Sequence, residues 1–425
     1  MLNIKFIREN SKKVKEGCQK KGIKVDIDEL LEIDKRRRST LQALEDMRAQ
    51  KNKANKEIRR AENQREKEKI ILKMRELDRN NDRLDKTLKE LETSFSDLML
   101  QVPNLPLADV PTGKDEKDNL VLREVGERPE FDRLGFQPKD YLEIAENLDL
   151  IDVKRAAKVS GARFGYLKNE AVLLEFALIN FAFDILGKEG FSPVIPPVML
   201  KPAMARGMGY LEQTDKEEAY FLPQDNLYLA GTSEQSIGAM HSGEIFKEEE
   251  LPRRYLGFST CFRREAGSYG KDTKGIFRVH QFDKVEMFSF VKPEDSIKEH
   301  EFFLAMEEKL MQALKIPYRV VNICTGDLGR PAAKKYDIEA WLPSENRYRE
   351  THSTSNCTDF QARRLNIRYG DAKTKKPEFV HTVNGTVFSQ RPILAIIENY
   401  QQKDGSVKMP DVLQKYLGFK EIKRK

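Results

Sequence analysis

The sequence lacks what a membrane, disulfide-stapled or zinc-bound protein needs. No segment reaches the roughly 20 consecutive apolar residues of a membrane-spanning helix, and the opening MLNIKFIREN carries no long apolar stretch. No membrane association is therefore expected, and the expected location is the cytoplasm. The four cysteines, Cys18, Cys261, Cys324 and Cys357, lie far apart without a C-x-x-C pair, and the five histidines form no run that would complete a tetrahedral site. They are read as reduced and structural, and no zinc is expected. Neither G-x-x-x-x-G-K-[ST] nor G-x-G-x-x-G occurs, so a bound nucleotide would sit in neither a P-loop nor a Rossmann crevice. Charge of one sign is not in great excess: 75 Lys and Arg against 69 Asp and Glu leave a net +6, which permits a polyanionic partner without arguing for one.

Proline is absent before Pro103, and in that stretch an apolar stripe recurs at steps of three and four. It runs through Leu30, Ile33, Leu44, Met47, Ala54 and Ile58, interrupted by Arg37 and Lys51. A second run follows through Ile70, Leu77, Leu84, Leu88, Leu91, Phe95 and Leu98, interrupted by Asn81. Such a seam predicts two packed helices. The apolar gap from Glu62 to Glu68 predicts a fold-back into an antiparallel hairpin over about residues 28–99. Residues 35–60 hold ten Lys or Arg, among them Arg36, Arg37, Lys51, Lys53, Lys56, Arg59 and Arg60, against three acids. A dimerising coiled coil with solvated charges would also satisfy the pattern. The basic excess instead favours a rod that meets phosphates by charge and shape.

Between Val102 and Asn119 three prolines, a glycine and a cluster of charges exclude any long element, which predicts a linker. Beyond it, β-branched and aromatic runs such as YRVVNIC, KVEMFSF and EFVHTV read as strands. EAVLLEFALINFAFDIL and EDSIKEHEFFLAMEEKLMQAL read as helices. The expected organisation is an N-terminal domain over 1–104, a linker over 105–121 and a large α+β domain over 122–425.

Chemistry concentrates in CFRREAGSYGKDTKGIFRVHQFDKVEMFSF, residues 261–290. A strand-like start reaches Arg263 and Glu265, a glycine-rich charged loop runs from Gly267 to Gly275, and a second strand is predicted to carry Arg278, Phe282 and Glu286. Their even spacing places them on one face. Two cations for phosphate, a ring for a base and an acid for an amine or hydroxyl suit a nucleoside triphosphate.

These residues resemble motif 2 of the class II aminoacyl-tRNA synthetases. RPILAIIENYQ, an amphipathic helix opening at Arg391, resembles motif 3, and GFSPVIPPV, with Pro197, resembles motif 1. Further matches are to the seryl-tRNA synthetase family: GTSEQ, HQFDKVEMF, CTGDLG and RYRETHSTSNCTDFQARR. The resemblance covers essentially the whole chain, hairpin and linker included. It implies a class II domain on an antiparallel sheet flanked by helices, and an ATP-dependent ligase that forms seryl-adenylate and charges tRNA(Ser), with tRNA(Sec) as a further acceptor. L-serine would be held by Thr232, Ser233, Glu234, Arg263, Glu286, Asn384 and Thr386. ATP would be held by Arg263, Arg264, Glu265, Arg278, Val279, Phe282, Glu350, Thr351, His352, Ser353 and Arg391. Mg2+ would be held by Glu350 and Ser353, and tRNA by the seven basic hairpin residues named above.

The resemblance also implies a homodimer through motif 1. Two departures from the family stand out. Thr351 and His352 replace the usual isoleucine and serine, and His352 receives no catalytic role. NGTVFSQR runs one residue shorter before Arg391, which leaves Asn384 and Thr386 as alternatives for the serine hydroxyl, Thr386 being preferred. Two other readings remain open: a related ligase loading a carrier protein, against which the basic hairpin argues, and an inactive nucleic-acid-binding relative, against which the three retained arginines argue.

Overall fold

A computed structural model describes residues 1–61, 63–212, 215–266, 272, 274–370 and 376–424. Most of the loop from Gly267 to Gly275 thus lies outside the described residues. The chain divides into two compact units, one of Leu2–Gln19 with Ile23–Pro103, the other of Met1, Lys20–Gly22 and Asn104–Lys425.

The first unit is dominated by helices α1 (Ile27–Arg60) and α2 (Gln64–Gln101). They run antiparallel, since Lys51 pairs with Asp78 while Arg37 lies 4.4 Å over the Phe95 ring. The turn is tighter than the apolar gap suggests. Asn63 Oδ1 accepts the Glu66 N–H at 2.9 Å and starts α2 at once, so residues 64–68 form an exposed first turn of helix. The apolar seam buries Leu30, Leu44, Ala54 and Leu91, and it also encloses an acid. Asp34, fully buried, meets Arg8 at 3.0 Å, Arg37 at 3.4 Å and Arg38 at 3.1 Å. Arg37 is therefore engaged within the seam, and Lys51 is paired with Asp78 at the surface, whereas Arg36, Lys53, Lys56, Arg59 and Arg60 stand exposed.

In the second unit the proline-rich segment is tied down along its length. Asn104 donates its N–H to the Arg330 carbonyl at 3.0 Å and its side-chain amide to the Cys357 carbonyl at 2.8 Å, and Leu107 donates to Ala333 at 2.9 Å. A strand, β1 (Leu120–Val125), already begins within the stretch expected to be linker.

Seven more strands complete the sheet: β2 (Ser192–Val194), β3 (Arg253–Phe262), β4 (Gln281–Val291), β5 (Tyr318–Asn322), β6 (Lys334–Leu342), β7 (Arg347–Thr358) and β8 (His381–Phe388). Their order is β1-β5-β6-β7-β8-β4-β3-β2, antiparallel throughout except for the parallel edge pair of β2 and β3. EFVHTV does not form one strand, because β8 starts only at His381.

Among the helices that cover the core are α3 (Glu170–Leu186), α5 (Ser296–Ala313) and α6 (Arg391–Asn399), with the short α4 (Ser233–Ala239) between the first two in sequence. Leu174, Leu178 and Phe181 of α3 and Phe303 and Leu310 of α5 meet Val285 and Met287 of β4 in one cluster. The helix opening at Arg391 is amphipathic as expected, but its residues from Pro392 to Glu398 are all buried, so its polar side serves the interior: Arg391 lines the cavity described below, and Glu398 accepts the Tyr141 and Ser344 N–H groups. Gly257 in β3 is where α4 presses on the sheet: a Cβ there would come within 2.3 Å of Ile237 Cδ1 and 3.0 Å of Ser233 Oγ.

Glu307 on α5 is fully buried, and neither carboxyl oxygen has a hydrogen-bond partner among the described residues. A Cβ on Gly385 of β8 would lie 3.1 Å from it. Burial first, then the Glu286 and Asp337 charges, push its carboxyl well above 4.5. The folded state therefore retains a proton that the unfolded chain releases, so the associated stability is present in acid and is lost as pH rises above the ordinary carboxylate range. Glu307→Gln removes this loss. Its melting temperature relative to the parent should climb from about pH 5 to about pH 8, and a constant difference would refute the assignment.

Candidate active site

A cavity of 340 Å³ opens on the sheet face opposite that core. The alternation of β4 produces it: Phe282, Lys284 and Glu286 line the cavity, while Val285 and Met287 enter the core. Glu286 is paired across the ladder with Thr386 of β8 on one side and Gly257 of β3 on the other.

At one end, acids and hydroxyls converge. Thr232, the N-cap of α4, accepts the Glu234 N–H and donates its hydroxyl to Glu286 Oε2, both at 3.3 Å. Glu234 is buried, and its oxygens accept from the Tyr210 hydroxyl at 3.1 Å, the Gln361 amide at 3.0 Å and the Asn384 amide at 3.2 Å. Burial, reinforced by the Glu286 charge, pushes Glu234 up to about 7. Lys284 forms an ion pair with Glu286. The Asn384 amide is thus already engaged, while the Thr386 hydroxyl makes no hydrogen bond among the described residues.

Cations mark the remainder. Arg263 Nε donates to the Gly231 carbonyl at 3.1 Å, and its guanidinium lies 5.3 Å from the Phe282 ring. Arg278 is held by Glu265 at 3.3 Å and Asp272 at 3.1 Å. Arg391, at the start of α6, pairs with Glu350 at 3.1 Å and lies 4.8 Å over Phe277. Burial alone would raise the Glu350 carboxyl, but Arg391 and Lys335 outweigh it and hold the group at about 2.

Backbone bulges bring these groups onto one face. Glu350 and Ser353 are three residues apart and would point to opposite sides of a regular strand. The ladder pairs Ile338 with His352 and Glu339 with Glu350, which leaves Thr351 as an extra residue and returns Glu350 to the side of Ser353. Val387 of β8 is likewise extra, so Asn384 and Thr386 line the cavity while Phe388 enters the core.

The donors fit Mg2+ in part. An anionic Glu350 carboxylate and the Ser353 hydroxyl would offer hard oxygen ligands in the cavity wall. Among the described residues no group of three or more His, Cys, Asp or Glu could hold a metal by itself. Substrate phosphates and water would have to complete the shell, which is the habit of Mg2+.

Of the residues singled out from the sequence, the cavity gathers Thr232, Glu234, Arg263, Glu265, Arg278, Val279, Phe282, Glu286, Glu350, Thr351, Ser353, Asn384, Thr386 and Arg391. Three fall outside it. Ser233 turns to the sheet behind, its hydroxyl donating to the Gly257 carbonyl at 3.3 Å. Arg264 alternates away from its neighbours and lies 5.6 Å over the Tyr220 ring. His352 is buried in the interior, with Nδ1 2.8 Å from the Thr351 hydroxyl, Nε2 without a partner among the described residues, and the ring pushed down to about 3 by burial.

Arg278 reaches the cavity by a different route from the one expected, because β4 starts only at Gln281. The Ile276 N–H donates to the Tyr141 hydroxyl at 3.0 Å and its carbonyl accepts from Gln390, so this segment's polar groups are used outside the ladder. Sequence reasoning missed Lys284, which the even step from Phe282 to Glu286 contains, and Gln361, which lies inside the quoted run ending QARR. Tyr210 carries no local signal at all.

Residues 1–106 match the Seryl-tRNA synthetase N-terminal domain, and residues 220–400 match the tRNA synthetase class II core domain (G, H, P, S and T). The Serine--tRNA ligase of Dictyoglomus turgidum is 44% identical over 429 residues, with 100% of both chains covered. That of Pyrococcus horikoshii is 45% identical over 444 residues, covering 99% of this chain and 97% of the relative. Among solved structures, the seryl-tRNA synthetase from Pyrococcus horikoshii complexed with ATP superposes with a TM-score of 0.93 at 44% identity, with 100% of each chain covered. The cytoplasmic serine-tRNA ligase of Naegleria fowleri in complex with AMP gives 0.87 at 34% identity, covering 100% of this chain and 99% of that one. With full-length relatives above 40% identity and a hairpin unit and catalytic sheet that both match, the chain belongs to the seryl-tRNA synthetase family.

Proposed function

We propose that this chain activates L-serine with ATP to seryl-adenylate and transfers the seryl group to tRNA(Ser). The observation that carries the reading is one cavity that holds both a buried acid and hydroxyl cluster and three arginines beside an aromatic ring. The names of its relatives, and the ATP and AMP bound in two related structures, support it. Family resemblance alone supports tRNA(Sec) as a second acceptor.

In this reading Glu234, Glu286 and Thr232 receive the serine ammonium group. Thr386, whose hydroxyl is the less engaged of the two alternatives, receives the serine hydroxyl, with Asn384 beside it. Arg263 binds the α-phosphate, Arg278 and Arg391 the outer phosphates, and Phe282 stacks on adenine. The serine carboxylate forms a bond to the α-phosphorus as the bond to pyrophosphate breaks. No protein nucleophile is needed, so catalysis comes from positioning and charge neutralisation. Glu350 and Ser353 would hold Mg2+, which when bound neutralises phosphate charge.

Residues 1–104 serve tRNA binding, 105–121 connect, and 122–425 carry catalysis. A homodimer is supported by large apolar side chains left in water around the motif 1 segment, Ile195 at 82% and Met199 at 52% exposed. No described helix is long and apolar enough to cross a membrane.

Pyrophosphate exchange measured with each common amino acid should proceed with serine alone and disappear in Arg263→Ala; exchange with a different amino acid would overturn the reading. Because Glu234 titrates near 7 and an ammonium ligand requires its ionised form, serine affinity should strengthen as pH rises through about 7. Glu234→Gln should weaken binding and abolish that dependence. Replacing Lys53, Lys56, Arg59 and Arg60 together by Gln should weaken tRNA binding and flatten its salt dependence by up to about one log unit per lost phosphate contact. Exchange should be untouched, and an equal loss of exchange would contradict the division of labour.

A further inference from the structure

One wall of the active-site cavity, residues 329–332, belongs to no helix or strand, yet its four successive carbonyls are all engaged. Two residues from far earlier in the chain engage them. The Lys21 ammonium group donates to the carbonyls of Gly329 at 2.8 Å, Ala332 at 2.6 Å and Arg330 at 3.4 Å. Asn104 adds its N–H to the Arg330 carbonyl at 3.0 Å and its side-chain amide to that of Pro331 at 2.9 Å. Both residues are part of the catalytic unit, and both are buried, Lys21 at 6% and Asn104 at 3% exposure. Carbonyls in a strand alternate between two sides, and those in a helix bond within their own segment. Residues 329–332 do neither, so the course of this wall is set by donors outside it. Lysine suits the task, because an ammonium group offers three donors from one atom.

The wall closes the end of the cavity assigned to the amino acid. The Asn104 amide that holds Pro331 also donates to the Cys357 carbonyl at 2.8 Å, which ties the wall to β7. Cys357 lines the cavity, and its Sγ lies 3.7 Å from the Asn384 amide, which in turn is 3.2 Å from Glu234. Pro331 packs against Gly209, where an added Cβ would lie 3.3 Å from the proline Cβ, and the next residue, Tyr210, donates its hydroxyl to Glu234. With the ammonium group at Glu234 and Glu286 and the hydroxyl at Thr386, the β-carbon of serine lies beside Asn384, inside this enclosure. Burial, reinforced by the Glu234 charge, pushes the Cys357 thiol up, so it faces the ligand as a neutral, weakly polar surface. Threonine differs from serine by one methyl group on that carbon. No hydrogen bond rejects a methyl group, and only a wall that does not yield can do so.

We propose that Lys21 and Asn104 are positioning residues for amino-acid selection, holding residues 329–332 and Cys357 so close to the serine side chain that the methyl group of threonine finds no room. The assignment rests on the ligase reading above and adds to it the means of discriminating between two hydroxylated substrates.

The test keeps the two apart. Serine-dependent pyrophosphate exchange by the full-length parent comes first, and its absence would remove the ligase reading rather than the role of the wall. Lys21→Met, which keeps the length of the side chain and removes its donors, and Asn104→Ala are then compared with the parent in exchange with serine and with threonine. Fit around a single methyl group is worth about 10- to 200-fold in kcat/KM. The serine-to-threonine ratio of kcat/KM should fall by at least about 10-fold in each variant. KM for serine should rise, while KM for ATP stays at the parent value, because Arg263, Phe282 and Arg391 make no contact with the wall through Lys21 or Asn104. Lys21→Gln, which retains an amide donor, should show the same shift at smaller size and carries the comparison where Lys21→Met does not fold. A merely structural role would loosen both substrates together. A serine-to-threonine ratio that stays at the parent value, or a KM for ATP that rises in step with that for serine, would overturn the assignment.

Discussion

The burial of two carboxyl groups, Glu234 and Glu286, in one cleft is the constraint around which the catalytic unit is arranged. Each would be costly to bury alone, and together they repel. The surrounding polar groups offset that cost: Thr232 touches both residues, Lys284 pairs with one, and Tyr210, Gln361 and Asn384 donate to the other. These groups come from five separate parts of the chain, so closing the cluster requires α4, β4 and β8 to be in register. Gly257 permits this by letting the first turn of α4 settle against β3 without a side chain between them. A cationic ligand would relieve the remaining repulsion, which suits the cluster to the ammonium group proposed for it.

Helices and chemistry were the legible parts of the sequence. The run from Glu170 to Leu186 reads as a helix and forms one over those residues, because apolar side chains recur at helical spacing and no breaker intervenes. The arginine, phenylalanine and glutamate of the 261–290 segment likewise enter one cavity. Features that depend on a partner strand were not legible. A bulge is a mismatch between two strands, so Thr351 and Val387 look locally like any strand residue. The start of β4 was misplaced for a related reason: Tyr141 and Gln390, remote in sequence, take the polar groups of Ile276. The apolar stripe of the hairpin showed that two helices pack, but not that Asp34 lies within the seam with three arginines around it.

The two units use charge in opposite ways. In the hairpin most cations stand in water, where screening makes each contribute little to folding and leaves it available to a polyanion. In the catalytic unit Arg391 and Glu350 lie close together in a cavity wall, where their attraction keeps the carboxylate ionised against the cost of burial. The first arrangement suits a surface that recognises shape, and the second fixes individual oxygens to within a bond length.

The extra residue at Thr351 makes the side-chain pattern of β7 a matter of counting. Were the four residues from Glu350 to Ser353 paired regularly, with none left over, alternation would carry Glu350 to the core side of the sheet while Ser353 stayed in the cleft. A change of side chain at 351 alters one contact, whereas loss of the bulge at constant length turns over every residue on one side of it. The bulge, and not the identity of the residues inside it, therefore sets the face, and that is how a threonine and a histidine can stand between Glu350 and Ser353 while both residues still face the cleft.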